Sequence, residues 1–302
     1  MSLSLCCKLF GLSRQSVYQG EIRNKIRADE LAKVKNFVIE LRMRMPQLGT
    51  RKLYHLLENE FKRNNLKIGR DALFDFLRSE NMLVKPKKNY TKTTNSKHWL
   101  RKYPNLYATA IINEPEQVMV SDITYIKTYE KTHYLSLVTD AYSRKIVGYH
   151  LSDDLSAESV VKALRMAVKN KRSIKPSIHH SDRGLQYCSE TYQKELRKHN
   201  IKPSMTDGYD CYQNALAERI NGILKNEFLY IKCRNKEELK KQIGESIEIY
   251  NNERPHQSIG FLTPNQVHEK NVTSEQQSDK ITARLQGIVH HSLVDIQTAI
   301  AL

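Results

Sequence analysis

The chain of 302 residues carries 49 Lys and Arg against 33 Asp and Glu, which gives a formal net charge of +16 at pH 7. Its mean hydropathy of −0.61 and the lack of any apolar run near the roughly 20 residues that span a bilayer exclude a membrane-spanning class, and no membrane partner is predicted. The five cysteines include no C-x-x-C pair, so neither a disulfide framework nor a zinc knuckle is expected. Without a secretory signal at its start, the chain is expected in a reducing cytoplasm.

Most of the excess positive charge lies in the first third of the chain. Residues 1–105 contain 23 Lys and Arg against 9 Asp and Glu, a net charge of +14. Such a concentration favours a polyanionic partner such as nucleic acid. A membrane surface is the competing partner, but no single strongly basic amphipathic helix stands out among these residues.

Residues 1–83 are predicted to be helical. The first 20 indicate a helix, a turn at Gly11 and a second helix capped by Ser13, and a further helix is expected over residues 26–43. Two amphipathic helices follow, because apolar residues recur at helical spacing. These residues are Leu53, Leu56, Leu57, Phe61, Leu73, Phe76 and Leu77. Two interpretations stay open: a helix-turn-helix DNA-binding region, or a small helical bundle with ordinary surface charges.

Residues 84–111 are predicted to be a basic linker between this region and the next. Tyr90, Trp99 and Tyr103 are candidates for stacking on bases if the linker follows DNA. An inert linker fits the same composition equally well.

Residues 112–270 are predicted to form a mixed α/β domain. Strands are expected near residues 117–128, 133–140, 144–152, 176–181 and 201–204, with helices at about 156–170 and 189–199 and an amphipathic helix around residues 214–228. Residues 271–302 remain as a C-terminal tail to which no role is assigned.

Three acidic residues of this domain lie in distinct structural contexts. Asp122 lies within a strand-like run, Asp182 ends a short strand, and Glu218 lies on the polar face of the amphipathic helix. Two divalent ions held by such carboxylates can activate a nucleophile and stabilise the leaving oxygen at a phosphodiester. Magnesium prefers oxygen ligands of this kind. The spacing of the three acids does not by itself indicate a metal site, because 33 Asp and Glu residues offer many triplets at any chosen spacing. The structural contexts of these three acids favour a metal site.

These motifs resemble those of the DDE transposases and integrases, and closely the IS3 family of bacterial insertion sequences. The motifs are SDITYI at 121–126, HHSDRGLQY at 179–187, NALAERINGILKNEF at 214–228 and YNNERPHQSIGFLTP at 250–264. The resemblance extends from about residue 3 to about residue 267. It implies an α/β fold: a ribonuclease H-like catalytic core, with a mixed five-stranded sheet and helices, preceded by the all-α helix-turn-helix region. The chain departs from the family at Met119, where Trp is common, and at Cys211, where Pro is common.

The resemblance also implies roles for individual residues. Asp122, Asp182 and Glu218 are expected to be catalytic and to bind two Mg²⁺ ions, which Mn²⁺ can replace. Lys225 is expected to contact DNA, with a solvated surface lysine as the alternative. Further DNA contacts are predicted at Arg14, Arg51, Lys52, Arg70, Arg78 and Arg254. The residues expected to support the carboxylates are Asp140, which alternatively forms a turn, His180, and Asn214, which either caps the Glu218 helix or orients Glu218.

The predicted function is therefore DNA transposition by metal-dependent strand cleavage and strand transfer at insertion-sequence ends. Two alternatives stay open: a metal-dependent nuclease of the same fold that does not join DNA, and a DNA-binding regulator with an inactive core. The predicted partners are double-stranded DNA of the element ends and the target, further copies of the chain in a homo-oligomer, and an upstream-frame protein with a helix-turn-helix and a leucine zipper. The expected location is the bacterial cytoplasm, in association with the nucleoid.

Overall fold

The structure is a computed structural model that describes residues 2–85, 99–173, 175–207 and 211–269, without the side chains of residues 211 and 212. Part of the predicted linker, including Tyr90, and the predicted tail at 271–302 lie outside the described residues. The chain divides into two compact units, residues 1–85 and 86–302.

The described residues of the N-terminal unit are helical, as predicted. The helices are α1 (Leu3–Leu9), α2 (Arg14–Arg44), α3 (Thr50–Arg63) and α4 (Arg70–Ser79). The apolar residues at helical spacing form the core, since Leu53 and Leu57 of α3 and Leu73 and Leu77 of α4 are buried. This unit is therefore built around the stripes that the sequence pattern indicated.

One helix boundary differs from the prediction. Gly11 adopts φ +64° and forms the predicted turn, and Ser13 caps the next helix through its hydroxyl. The predicted break between residues 20 and 26 is wrong, because α2 continues through Gly20 for 31 residues. A glycine inside a helix costs only about 1 kcal/mol relative to alanine, and the rest of the helix offsets this cost.

None of the helices in the described ranges, including the long helix α2, is long and apolar enough to cross a bilayer.

The second unit contains a mixed five-stranded sheet with helices. Its strands are β1 (Val118–Lys127), β2 (Thr132–Asp140), β3 (Ile146–Ser152), β4 (Ser177–Ser181) and β5 (Ile201–Met205), in the spatial order β3-β2-β1-β4-β5. β1 pairs antiparallel with β2 and β2 with β3, whereas β1–β4 and β4–β5 are parallel. This topology confirms the predicted ribonuclease H-like core.

Helices cover the two faces of this sheet. Those of the second unit are α5 (Ala157–Lys169), α6 (Leu185–Cys188), α7 (Glu190–Lys198), α8 (Ala215–Ile223), α9 (Lys236–Asn252) and α10 (Pro264–Glu269). Met119 of β1 joins the apolar cluster formed by α5, α6 and α7, whereas its neighbours Val118 and Val120 join Ala217 of α8. Because successive strand residues point to opposite faces, α8 lies on the other face from α5.

Close helix–sheet contact explains one glycine in this layer. A Cβ at Gly148 of β3 would overlap the carbonyl oxygen of Ala163 and the backbone nitrogen of Ala167 in α5. Only glycine lets this helix backbone approach the strand so closely.

Candidate active site

Asp122 lies on the central strand of the sheet, between β2 and β4. It shares a face with Val118 and Val120, so its side chain is on the α8 side. Oδ1 accepts a hydrogen bond from the Ile123 N–H at 2.8 Å, and Oδ2 accepts one from Nδ2 of Asn221 at 2.8 Å. The orientation of this carboxylate is therefore fixed both by its own strand and by α8.

Asp182 lies directly after β4, beside Asp122. β4 is the parallel neighbour of β1, with Val120 opposite His180. Continuing this register by two residues sets Asp122 opposite Asp182, on strands about 4.8 Å apart. Oδ1 of Asp182 accepts the Gly184 N–H at 2.9 Å, which orients this second carboxylate.

Gly184 is not needed at its position for its backbone conformation. Its φ of −64° is one that any residue adopts. A Cβ at this position would lie 3.0 Å from Oδ1 of Asp182 and 3.1 Å from Oε1 of Gln186. The missing side chain therefore leaves room beside the carboxylate.

Glu218 is brought to the same place by α8. Asn214, at the start of this helix, donates from Nδ2 to the Ser121 carbonyl at 3.1 Å, and Asn221 donates to Asp122. Positions 214, 218 and 221 lie on one side of a helix. Glu218 is therefore carried between two asparagines that both contact β1 around Asp122, and its side chain is solvent-exposed.

The three carboxylates act on one another electrostatically. Burial, followed by the charges of Asp182 and, more weakly, Glu218, raises the pKa of Asp122 to about 7, against the opposing effect of its two hydrogen bonds. Burial and the charge of Asp182 also raise the pKa of Glu218. Each carboxylate in such a group disfavours ionisation of the others, and a bound cation would remove that cost.

The donor set consists of oxygen atoms, which suits a hard divalent ion. Among residues 2–85, 99–173, 175–207 and 211–269, no group of three His, Cys, Asp or Glu side chains is arranged to hold one ion. Mg²⁺ typically keeps several waters and binds only one or two carboxylates, so it does not need such a group. The three acids are compatible with Mg²⁺ held partly by water.

His180 connects the elements around the site through both nitrogens of its ring. Its Nε2 lies 3.0 Å from the Gln213 carbonyl oxygen, and its Nδ1 lies 2.9 Å from the Ser204 hydroxyl. Since a carbonyl only accepts, Nε2 carries the proton. Burial lowers the pKa of His180 to about 4, so the ring is neutral and joins β4, β5 and the segment before α8.

The contacts of Asn214 and Asp140 bear on the two alternatives that the sequence left open for each. Asn214 makes no side-chain capping bond to α8, because its amide binds β1 instead. Asp140 is fully buried, where Oδ1 accepts the Glu116 N–H at 2.8 Å and Oδ2 accepts the N–H and hydroxyl of Ser143. Asp140 therefore forms the β2–β3 turn, which is the alternative role that the sequence left open for it.

Arg254 is not on the surface, so its predicted direct contact with DNA is wrong for this structure. The residue is only 2% exposed. Its guanidinium makes two hydrogen bonds to the Glu227 carboxylate, at 2.8 and 2.6 Å. A buried arginine paired in this way has no free face to present to a phosphate.

Lys225 is half-buried just beyond α8, one turn after Asn221. Burial lowers the pKa of its ammonium, and the charge of Asp122 opposes this shift. The remaining predicted DNA contacts belong to the N-terminal unit. Arg14, Arg51, Arg70 and Arg78 are exposed there and Lys52 is half-buried; Arg70 pairs with Asp71, and Arg78 pairs with Asp75.

Two residues with no role predicted from the sequence connect the elements of the site. Asn221 follows Glu218 by three residues on the same side of α8, and its Nδ2 donates to Oδ2 of Asp122 at 2.8 Å, a contact between residues 99 positions apart. His179 is fully buried, with Nε2 at 2.7 Å from the Ser121 hydroxyl and 2.9 Å from the Tyr192 hydroxyl. It joins β1, β4 and α7 on the face of the sheet opposite the Asp122 side chain. The only signal for His179 was its place beside His180.

We expect Asp122→Asn to stabilise the metal-free protein at pH 8. The folded-state pKa of Asp122, about 7, exceeds the ordinary value of about 3.9. Burial of the Asp122 carboxyl therefore costs the parent protein no ionisation energy below pH 4, where the group is protonated in both the folded and the unfolded state. The free energy of unfolding of the parent falls as the pH rises from 4 through 7. At pH 8 the free energy of unfolding of the variant should exceed that of the parent by about 2–4 kcal/mol, as measured by urea denaturation in EDTA.

The same comparison at pH 4 should show a much smaller difference. Asp153→Asn is the control, because hydrogen bonding to Lys236 is the largest cause that lowers the pKa of Asp153 to about 2. That substitution should destabilise the protein at neutral pH, and the loss should shrink as the pH falls. An Asp122→Asn effect that stayed constant from pH 4 to pH 8 would contradict the raised pKa.

Comparison with known proteins adds independent findings. A protein-family model described as "Integrase core domain" matches residues 112–211, and a second of the same description matches residues 199–264. The chain is 37% identical over 270 residues to "Insertion element IS600 uncharacterized 31 kDa protein" of Shigella sonnei, covering 87% of this chain and 97% of that protein. It is 33% identical over 203 residues to "Transposase InsF for insertion sequence IS3A" of Escherichia coli (strain K12), covering 65% and 69%.

Solved structures also resemble the chain. A trimeric form of the HTLV-2 integrase catalytic core domain in complex with magnesium matches with 22% identity and a TM-score of 0.44, over 52% of this chain and 98% of that chain.

Proposed function

Because the chain belongs to the IS3-family transposases with a DDE-type integrase core, we propose that Asp122, Asp182 and Glu218 are its catalytic, metal-binding carboxylates. As a DDE-type transposase, the chain is a polynucleotidyl transferase of DNA transposition. The observation that carries the residue assignment is the β1–β4 register, which sets Asp122 opposite Asp182 beneath the helix that bears Glu218.

The proposed reaction requires divalent metal ions. Two Mg²⁺ ions, or Mn²⁺ in their place, would supply Lewis-acid activation of the attacking oxygen and charge stabilisation on the leaving oxygen. The protein's own contribution is orientation. Ile123 and Asn221 hold Asp122, and Gly184 holds Asp182, so the acceptor directions of both carboxylates are set before DNA binds.

The DNA partners are proposed to be the ends of the insertion element and the target duplex. The N-terminal unit would bind duplex DNA through Arg14, Arg51, Lys52, Arg70 and Arg78, and Lys225 would bind the phosphate next to the reacting bond. The chain would act as a homo-oligomer on DNA, and an upstream-frame protein with a helix-turn-helix and a leucine zipper would assist end recognition. The excess of positive charge over residues 1–105 supports the DNA-binding part of this proposal.

The test of function is an assay of the full chain on linear DNA that carries the element ends, with Mg²⁺ or with EDTA. We expect strand cleavage at the element's 3′ end and joined products, both only with Mg²⁺. Pre-cut ends that lack the 3′-hydroxyl should not be joined. Cleavage without joined products would favour the nuclease alternative, and binding without either product would favour the inactive regulator.

Lys225→Ala should weaken binding of the reacting DNA end about tenfold, the size expected from losing one charge-assisted contact. Lys225→Arg should be milder, because a reachable positive charge remains. Affinity for end DNA is measured in Ca²⁺, which we expect to support binding without turnover, and joining is then measured in Mg²⁺.

Lys194→Ala is the matched control for Lys225→Ala. Lys194 is an exposed lysine on α7, which covers the opposite face of the sheet from α8. It should bind and join like the parent. If Lys225→Ala did the same, Lys225 would be an ordinary solvated helix lysine.

A further inference from the structure

The helix that carries Glu218 changes its geometry directly after the site. α8 ends at Ile223, and residues Leu224–Phe228 form a π-helical turn, closed by a hydrogen bond from the Leu229 N–H to the Leu224 carbonyl at 2.8 Å. A π turn bonds residues five apart, where an α-helix bonds residues four apart, so later side chains point in altered directions. Such turns are rare and occur frequently at functional sites.

A buried ion pair holds the end of this turn. Glu227, the fourth of its five residues, accepts hydrogen bonds from Nε and Nη2 of Arg254 at 2.8 and 2.6 Å. The Arg254 side chain is 3% exposed and that of Glu227 is 17% exposed. A bidentate arginine–carboxylate pair restricts both position and angle of the carboxylate. The direction of Glu227, and with it the course of the turn, is thereby fixed.

Arg254 is itself held by the core. Its Nη1 lies 3.0 Å from Nε2 of His256, which must accept because a guanidinium only donates. The guanidinium carbon lies 5.8 Å from the ring centre of Tyr250, whose hydroxyl donates to the Arg144 carbonyl at 2.8 Å. Tyr250 is fully buried. These contacts fix the position of the guanidinium, and its two hydrogen bonds then fix the position of the Glu227 carboxylate.

The π turn also contains Lys225, two residues before Glu227. Lys225 follows Asn221 by four residues, and Nδ2 of Asn221 contacts Oδ2 of Asp122 at 2.8 Å. Lys225 is half-buried there. If the segment continued as an α-helix, Lys225 and Glu227 would both change angular position relative to β1.

We propose that Arg254 is a positioning residue: its bond to Glu227 maintains the π turn that holds Lys225 beside Asp122, ready for a DNA phosphate. This inference rests on the proposed function, because it assumes that Lys225 contacts the reacting DNA end. It gives Arg254 an indirect part in DNA binding, in place of the direct contact that its sequence motif suggested.

The test is a double-mutant cycle on affinity for end DNA, measured with the full chain in Ca²⁺. Arg254→Lys keeps the charge but loses the bidentate pair. It should weaken binding about tenfold when Lys225 is present and less than about twofold in the Lys225→Ala background, because residues in one network are not additive. Glu227→Gln should give the same pattern.

Arg165→Lys is the matched control. Arg165 also makes a bidentate pair, with Glu195 at 2.9 and 2.9 Å, but on α5 and α7 and with 60% of its side chain exposed. It should leave affinity unchanged in both backgrounds. Equal losses from Arg254→Lys with and without Lys225, or no loss at all, would overturn the proposal.

Amide hydrogen exchange at Leu229 gives a readout that does not need DNA. Arg254→Lys and Glu227→Gln should accelerate this exchange, whereas Arg165→Lys should not. If the parent protein failed to bind end DNA, the proposed function would fail, and exchange at Leu229 would still decide whether Arg254 maintains the π turn. Unchanged exchange in both variants would overturn that role.

Discussion

Asp122→Asn, Asp182→Asn and Glu218→Gln should each reduce DNA cleavage and joining by about 10²–10³-fold, the loss expected when a preorganised electrostatic contact to the transition state is removed. Each substitution preserves side-chain size and removes one negative charge from the group that would hold the metal ions. Affinity for end DNA should fall little, because the proposed phosphate contacts are made by other residues. Single-turnover cleavage and joining rates in Mg²⁺, with DNA affinity in Ca²⁺, measure the two properties separately.

Glu190→Gln serves as the control for these substitutions. Glu190 begins α7 on the opposite face of the sheet, and 79% of its side chain is exposed. This variant should cleave and join at the parental rate. Near-normal joining by one of the three acid variants in Mg²⁺ would remove that residue from the metal-binding set, while the other two assignments would stand on their own results.

A fragment of residues 1–85 should bind duplex DNA without metal, and its affinity should fall steeply with salt. Five phosphate contacts predict a slope of about −4.5 for log affinity against log salt concentration. Between 50 and 200 mM salt, this corresponds to a loss of about 500-fold. The ion pairs of Arg70 with Asp71 and of Arg78 with Asp75 are exposed, so opening them to reach phosphates costs little. Fluorescence anisotropy over a salt series measures the slope.

Single substitutions separate these contacts from general charge. Arg51→Ala should reduce the steepness of the slope by about 1 and weaken binding to all sequences alike. Lys62→Ala removes an exposed lysine of α3 that pairs with Glu58 and is not among the predicted contacts. It should change the slope less than Arg51→Ala does. Binding that ignored salt would move the DNA-contact surface away from this unit.

Local patterns in the sequence were sufficient to predict most of the fold. The strand-like run around Asp122 and the short strand that ends at Asp182 could be predicted because the signals of a strand lie within a few neighbouring positions. The stripes of α3 and α4 and the helix bearing Glu218 followed from the spacing of their apolar residues. The three acids could be selected for the same reason: each stands in a recognisable local motif, and the whole motifs carried the family resemblance.

Contacts between distant side chains could not be predicted from the local patterns. The β1–β4 register brings Asp122 and Asp182 together across about sixty positions of the chain, and α8 then supplies Asn221 to Asp122. Arg254 has the same sequence motif whether it reaches DNA or Glu227, so its burial could not be predicted from that motif.

The physical reason is the range of the interactions concerned. Helix and strand periodicity are set by residues two to four positions apart, and a sequence displays them directly. Hydrogen bonds and ion pairs such as those of Asp122 and Arg254 join residues separated by 99 and 27 positions, and packing of the whole unit decides them. Short-range patterns were therefore enough to predict most helices and strands and to select the three acids as candidates, whereas packing of the whole unit brings these acids to one location and supplies the partners that orient them.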